Sequence, residues 1–378
     1  MTIRVGFDAS AAAVRKPTGV AVAIRSLAEA VLALPADESV SLEVLYRLSR
    51  LKRRGTFLPN ARLFHERFSF LLARRLDVIH GPDARLPRLA GPALVATVHD
   101  LSVRKDARFA TEGFRATRAR HWKDTARRAD AIVVYTDAVR RELARELGFP
   151  LERIAVVPLA PSEGAAIPDE GEIAWTRRRL GLEGPHVLVL GELSARKNTA
   201  GAVRAFALAR EKSAAARRAT LLLVGPDGHG SEEVHAAIAA ANLGASVRVM
   251  GWLYPRELGC VLASAKALLF PSRSEGFGLP LVEALRAGVP VLASRDPALV
   301  EVSGGAACHE DSEDTDGLAF SLARLLEDPA LAADLAARGR ERATAFSWEK
   351  SARALARVYR AAAARESVPC LEAVPCPR

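Results

Sequence analysis

Short apolar runs alternate with longer amphipathic stretches along this chain, and the alternation starts twice. In the first half, Ile3–Phe7, Leu42–Tyr46, Asp77–His80, Leu94–Val98, Ala131–Tyr135 and Ile154–Val157 read as strands, with helical patterns between them such as Val20–Leu34 and Ala138–Leu147. Proline, glycine and acidic residues then cluster from Pro158 to Gly171, the composition of a linker. The pattern restarts with strands at His186–Leu190, Thr220–Val224, Ser246–Met250, Ala267–Phe270 and Val289–Ala293. Helices are expected over Thr199–Lys212, Ser231–Ala241, Pro255–Ala263, Pro280–Ala287 and Asp316–Leu326, and a last one, capped by Ser347, over Trp348–Ala363. Such alternation predicts an α/β fold with parallel sheets. At 378 residues the chain exceeds one typical core and suggests about two domains. Two doubly wound sheets facing each other would hold a ligand in a central cleft, at the carboxyl ends of their strands.

One stretch adds chemistry to this frame. It reads Pro271-Ser272-Arg273-Ser274-Glu275-Gly276-Phe277-Gly278-Leu279-Pro280-Leu281-Val282-Glu283-Ala284 and follows the apolar run Ala267–Phe270. Pro280 suits the first turn of a helix, where its missing N–H costs nothing. The segment is therefore strand, glycine loop, helix, and such a loop offers backbone N–H groups and a helix dipole to an anion. Glu275 in the loop can reach an uncharged polyol, and Glu283, one turn into the helix, can accept from a ribose diol. A sugar carboxylate, a ribose carboxylate and a phosphate between them describe a nucleotide-sugar site.

With Ala287-Gly288-Val289-Pro290-Val291 behind it, this string resembles the paired-glutamate signature of retaining glycosyltransferases of family 4, over Thr2 to about Ala363. The resemblance implies the GT-B fold, two Rossmann-like domains. Residues 1–165 would form the acceptor-side domain and 166–346 the nucleotide-sugar-binding domain. Residues 347–365 would be a helix crossing back to the first domain, and 366–378 a flexible tail. It also implies donor contacts from Gly276, Phe277, Gly278, Leu279 and Glu283, with Glu275 at the reacting sugar.

Three further stretches bear on the same chemistry. Arg196-Lys197-Asn198 follows the first strand of the second half, where a guanidinium fork and an ammonium can neutralise a diphosphate. Negative charge grows there as a sugar leaves, so both cations would act in the transition state; as isolated features they would be an exposed pair at a helix start. The triplet resembles one mannosyltransferase-like branch of the family. Many relatives carry an arginine where this chain has Glu192, which by resemblance passes that role to Arg196. Val98-His99-Asp100 ends a first-half strand. His99 is either structural or, as the family's matching histidine implies, a partner of the donor sugar; His80-Gly81 is a second candidate. Gly19 ends a loop beginning at Asp8 that resembles the family's N-terminal glycine loop, against the donor diphosphate or the acceptor, and Thr18 is equally a plain helix cap. Arg15 and Lys16 would face the acceptor.

The charge is uneven. Residues 1–160 carry 28 Lys/Arg against 17 Asp/Glu, and the remainder 26 against 27, so the net +10 belongs to the first half. A basic half can meet an anionic membrane, an anionic substrate or nucleic acid, or be a solvated surface. No helix-turn-helix, zinc or aromatic recognition motif supports nucleic acid. No run approaches about 20 uncharged apolar residues, and the N-terminus enters a strand directly without a leader layout. Cys260, Cys308, Cys370 and Cys376 have no zinc or redox spacing. A cytoplasmic location is expected, with the inner face of the membrane in reach. Asp314-Thr315-Asp316 matches a metal-binding Asp-x-Asp only superficially, because it precedes a helix, and the same loop lacks the glutamate of a calcium site. No metal or other cofactor is expected. Together these features predict a retaining hexosyltransferase. Its leading donor is GDP-mannose, ahead of UDP- or dTDP-sugars, and its acceptor a glycan or lipid-linked oligosaccharide in cell-surface polysaccharide assembly. Transfer to a small soluble acceptor is the alternative; a sugar epimerase lacks its usual carboxylates and histidine here.

Overall fold

The computed structural model of the protein describes residues 2–35, 38, 40–65, 74–162 and 168–368. Part of the expected linker (163–167), and most of the expected tail with Cys370 and Cys376, lie outside the described residues. The chain forms two compact units. One holds the chain up to Leu101, Gly113–Ala160 and the described residues from Phe346 on; the other holds Ser102–Glu112 and Pro161–Ala345.

The first unit is built on a seven-stranded parallel sheet: β1 (Ile3–Asp8), β2 (Val40–Arg47), β3 (Arg62–Phe64), β4 (Val78–Gly81), β5 (Ala93–Thr97), β6 (Ala131–Val134) and β7 (Ile154–Val156). The order is β3-β2-β1-β4-β5-β6-β7, so the direction of winding reverses between β1 and β4. Val5 pairs with both Leu42 and Val78 across that point. β4, β5 and β6 are buried along their whole length, as central strands covered on both faces must be. Helix Gly19–Leu32 lays Ile24, Leu27, Ala28 and Val31 inward. The last helix, Trp348–Ala364, packs on it and on β1, β4 and β5. Fully buried Tyr359 carries its hydroxyl to His80 Nδ1, 2.8 Å away, while His80 Nε2 meets Thr97 Oγ1 at 2.8 Å. His80 thus joins the helix to β5 rather than facing a ligand. Burial pushes its imidazole down to about 3, so it is neutral.

The second unit repeats the plan with six parallel strands: β8 (His186–Leu190), β9 (Thr220–Val224), β10 (Val247–Gly251), β11 (Ala267–Phe270), β12 (Val291–Ser294) and β13 (Cys308–Glu310). The order β10-β9-β8-β11-β12-β13 reverses between β8 and β11. Val187, Leu221 and Leu223 meet Val203, Phe206, Leu318 and Leu322 in its core.

Two edge strands, β3 and β13, are additions to the expected set. Each has three residues and no continuous apolar run. Helices Glu112–Arg128, Glu170–Arg179, Pro297–Ser303 and Pro329–Ala343 are also additions. Among the described residues no helix is long and apolar enough to cross a membrane.

Candidate functional site

The strands that flank the second unit's reversal each end in a loop that enters a helix. After β8, Gly191 (φ +136°) starts the turn, and a side chain there would crowd the Lys197 stem. Asn198 takes φ +51°, a left-handed conformation that asparagine tolerates, and donates from Nδ2 to Ser312 O at 2.6 Å before helix Thr199–Lys212 begins. After β11 the loop runs to Gly278 (φ +91°), where a Cβ would lie 2.5 Å from Leu299 Cδ2. Glycine is required there, and it opens helix Leu279–Ala287, whose leading N–H groups and dipole favour an anion.

The two loops are tied together. Arg273 N–H donates to Arg196 O at 2.9 Å, and its guanidinium donates to Ala195 O at 2.6 Å while pairing with Glu313 at 2.5 Å. This brings Arg196, Lys197 and Glu275 into one charge cluster. Lys197 Nζ lies 2.5 Å from Glu275 Oε1 and sits over the Phe270 ring at 4.8 Å. Arg196 Nη1 donates to Ser274 O at 2.9 Å and to Glu275 Oε2 at 3.3 Å. The side chains of Lys197 and Glu275 are only 12% and 8% exposed, so the cluster has little solvent to screen it. Burial alone would raise the Glu275 carboxyl, but Lys197 and Arg196 outweigh it and hold the group below its ordinary range. Two cations meet the Glu275 carboxylate at the loop that enters helix Leu279–Ala287, an arrangement that suits a diphosphate.

Glu283 projects from the same helix, where its Oε1 accepts from the Ser162 hydroxyl and backbone N–H. Burial raises its pKa and the Ser162 contacts lower it less, leaving it above the usual value. Among the described residues Oε2 has no hydrogen-bond partner, and the nearby Arg286 charge also favours the carboxylate. Phe277 is 3% exposed, so its ring is packed inside and only its backbone can meet a ligand. Gly276 is buried beside it, and half-buried Leu279 opens the helix.

Asp296 was not anticipated. It caps helix Pro297–Ser303 through Ala298 N–H at 3.0 Å, and its other oxygen accepts from Glu275 N–H at 3.4 Å. Burial pushes its carboxyl up to about 6; Lys105 opposes the rise and Glu275 adds to it. Lys105 belongs to Ser102–Glu112, a segment that groups with the second unit and also brings Arg108 to 3.8 Å from Glu313. In sequence, Asp296-Pro297 signals only a helix cap.

The other two expected site residues belong to the first unit. His99 Nε2 lies 2.7 Å from Pro82 O and Nδ1 lies 3.0 Å from Tyr135 Oη. A carbonyl only accepts, so Nε2 carries the proton and Nδ1 accepts from tyrosine. Both nitrogens are engaged by the protein and burial lowers the pKa, so the neutral ring braces the Pro82 turn; the expected hydrogen bond to a sugar hydroxyl does not fit this arrangement. Gly19 opens its helix, exposed, with Thr18 Oγ1 accepting from Ala21 N–H as the cap.

Two family models match the chain: Glycosyl transferases group 1 over residues 176–342 and Glycosyltransferase Family 4 over residues 18–160. The D-inositol 3-phosphate glycosyltransferase of Acidothermus cellulolyticus is 34% identical over 76% of this chain and 68% of its own length. The chain belongs to glycosyltransferase family 4. The O-antigen chain mannosyltransferase B of Escherichia coli is 28% identical over 80% of this chain and 79% of its own. Among solved structures, sucrose-phosphate synthase from Thermosynechococcus elongatus superposes with a TM-score of 0.75 at 22% identity, covering 95% of this chain and 98% of its own. This family 4 member therefore has the GT-B fold and is a glycosyltransferase. Asp314, the superficial metal match, caps helix Thr315–Glu327 through Gly317 N–H at 2.9 Å.

Proposed function

We propose that the protein transfers a hexose, with GDP-mannose the leading donor, to a hydroxyl of a glycan or lipid-linked oligosaccharide with retention of configuration. The observation that carries this reading is the convergence of Arg196, Lys197 and Glu275 at the reversal point between β8 and β11, where open α/β sheets bind ligands, with Glu283 on the helix that follows β11. The mannose assignment draws on the Arg-Lys-Asn triplet and on similarity to an O-antigen chain mannosyltransferase.

In this reading Arg196 and Lys197 turn part of their hydrogen bonding from Glu275 to the donor diphosphate. Glu275 is then released to accept from sugar hydroxyls, and Glu283 Oε2 takes the ribose. The bond from C1 to the phosphate oxygen breaks as the acceptor oxygen bonds to C1 on the same face. The acceptor proton passes to the departing phosphate oxygen, whose growing charge the two cations stabilise. These cations do the work a metal does elsewhere, so chelators should leave the rate unchanged.

The test is a thermal-shift panel of GDP, UDP, dTDP and ADP without added metal. A ligand at 100 times its Kd adds about 2.7 kcal/mol, or a few degrees at this size. A response to one nucleotide, weakened in Glu283→Ala, supports the reading; unchanged affinity in that variant removes the ribose assignment. A small soluble acceptor is the second reading, favoured by the relative named for D-inositol 3-phosphate. Nucleoside diphosphate release driven by soluble or by lipid-linked acceptors separates the two. The basic first half suits an anionic membrane surface at about 1 kcal/mol per well-placed Lys or Arg. Failure to sediment with anionic vesicles at low salt would refute that contact.

A further inference from the structure

The first unit has its own reversal point, and a cavity of about 140 Å³ opens there. Its walls come from the carboxyl ends of β1, β2 and β4, the position at which such sheets take ligands. Six side chains give it character: Asp8, Ser10, Arg47, Arg50, Asp83 and Arg85.

Three of the five charges are already balanced. Arg47 Nε pairs with Asp8 at 2.8 Å, and Asp83 pairs with Arg118 at 2.8 Å. Arg50 and Arg85 are not balanced, since among the described residues neither has an ion-pair partner. Ser10 is 6% exposed, and its Oγ accepts from Arg47 N–H at 2.8 Å. Its hydroxyl proton has no acceptor among the described residues, so the serine lines the cavity with a donor to spare.

The backbone is bent to place Arg85. Gly81 ends β4, and a Cβ there would lie 1.9 Å from Arg85 O, so only glycine lets the chain fold back on itself. Ala84 is held at φ +50°, where an alanine pays about 1–2 kcal/mol. Ala84 N–H donates to Thr97 O at 2.9 Å and Ala84 O accepts from Thr125 Oγ1 at 2.9 Å, which fixes the strained turn. Strain maintained beside a cavity points to a function for what it presents. It presents a guanidinium.

We propose that this cavity binds the phosphate ester of a phosphorylated polyol acceptor. Arg50 and Arg85 grip the phosphate, Ser10 donates to it, and the paired carboxylates of Asp8 and Asp83 accept from neighbouring hydroxyls. The proposal rests on the reading of the first unit as the acceptor side, and it names the acceptor's chemical class. A soluble sugar phosphate and a lipid-linked phosphate present the same group.

The experiment is calorimetric titration of the full chain with mannose 6-phosphate, mannose and farnesyl phosphate, each run on wild type, Arg50→Gln, Arg85→Gln and Arg196→Gln. Both cavity arginines reach solvent, so these variants should keep the wild-type Tm, and the nucleotide response is read on the same samples. We expect at least one phosphate-bearing probe to bind wild type, to weaken about tenfold or more in Arg50→Gln and Arg85→Gln, and to be unaffected by Arg196→Gln. Mannose should bind at least about tenfold more weakly than its phosphate. Preference for mannose 6-phosphate supports the phosphorylated polyol, and preference for farnesyl phosphate, which has no hydroxyls for Asp8 and Asp83, overturns the polyol assignment and points to a lipid phosphate. The proposal is overturned if neither phosphate binds, if binding ignores Arg50 and Arg85, or if mannose binds as well as its phosphate. Phosphate binding without any nucleotide response would instead count against the donor site.

Discussion

Lys197→Met removes one of the two cations facing the buried Glu275 carboxylate. Stripping a buried charge of its partner costs about 3–5 kcal/mol, and because Arg196 remains we expect about 1–3. Glu275→Gln in the same chain relieves the stranded charge, so the double variant should lose less than the two single losses added together. Additive losses in urea denaturation would show that the three groups do not form one cluster. That Arg196, Lys197 and Glu275 lie together was legible in the sequence because each follows a strand that flanks the reversal of the sheet. The place of Asp296 was not, since its nearness to Glu275 comes from the pairing of β11 with β12. Nor was the engagement of His99, whose partners Pro82 and Tyr135 come from two other loops.

At the scale of elements, the last helix combines apolar packing with polar ties, among them the contact of Tyr359 with the sheet and that of Ser351 with Pro158 O. Tyr359→Phe keeps the ring and deletes the hydroxyl that faces His80, leaving a fully buried imidazole nitrogen without its partner. We expect a loss of about 1–3 kcal/mol, checked by chemical denaturation; a change within error would mean that water replaces the hydroxyl. The helix itself was readable because Ser347 caps it and its apolar positions recur at helical spacing. Helix Glu112–Arg128 was not, since among its residues only Trp122 and Thr125 are buried and its charged sequence reads as plain basic surface. β3 and β13 escaped for a related reason: edge strands held by backbone pairing need no apolar run to exist.

For the whole molecule, acid should be more damaging than the count of carboxylates suggests. Burial lowers His80 to about 3 and His186 to about 4, against about 6.5 in an unfolded chain. Their contribution is intact above pH 6.5 and is lost as the unfolded chain takes up protons that the folded one refuses. By pH 5 each has lost on the order of 2 kcal/mol, and His99 shifts in the same direction. Asp296, raised to about 6, works the other way and returns about 1 kcal/mol. Unfolding free energies at pH 7.5 and pH 5 should therefore differ by about 3 kcal/mol, and an equal pair would contradict the buried neutral histidines. The first unit is also interrupted in sequence. The chain leaves it at Ala160, builds Pro161–Ala345 into the other unit, and returns at Phe346. At about 5–20 residues per second, a ribosome spends roughly 10–40 s on that interval. Ordinary domains fold in microseconds to seconds, so throughout that wait the nascent first sheet stands ready but lacks the helix carrying Tyr359, its apolar face open to any other chain nearby.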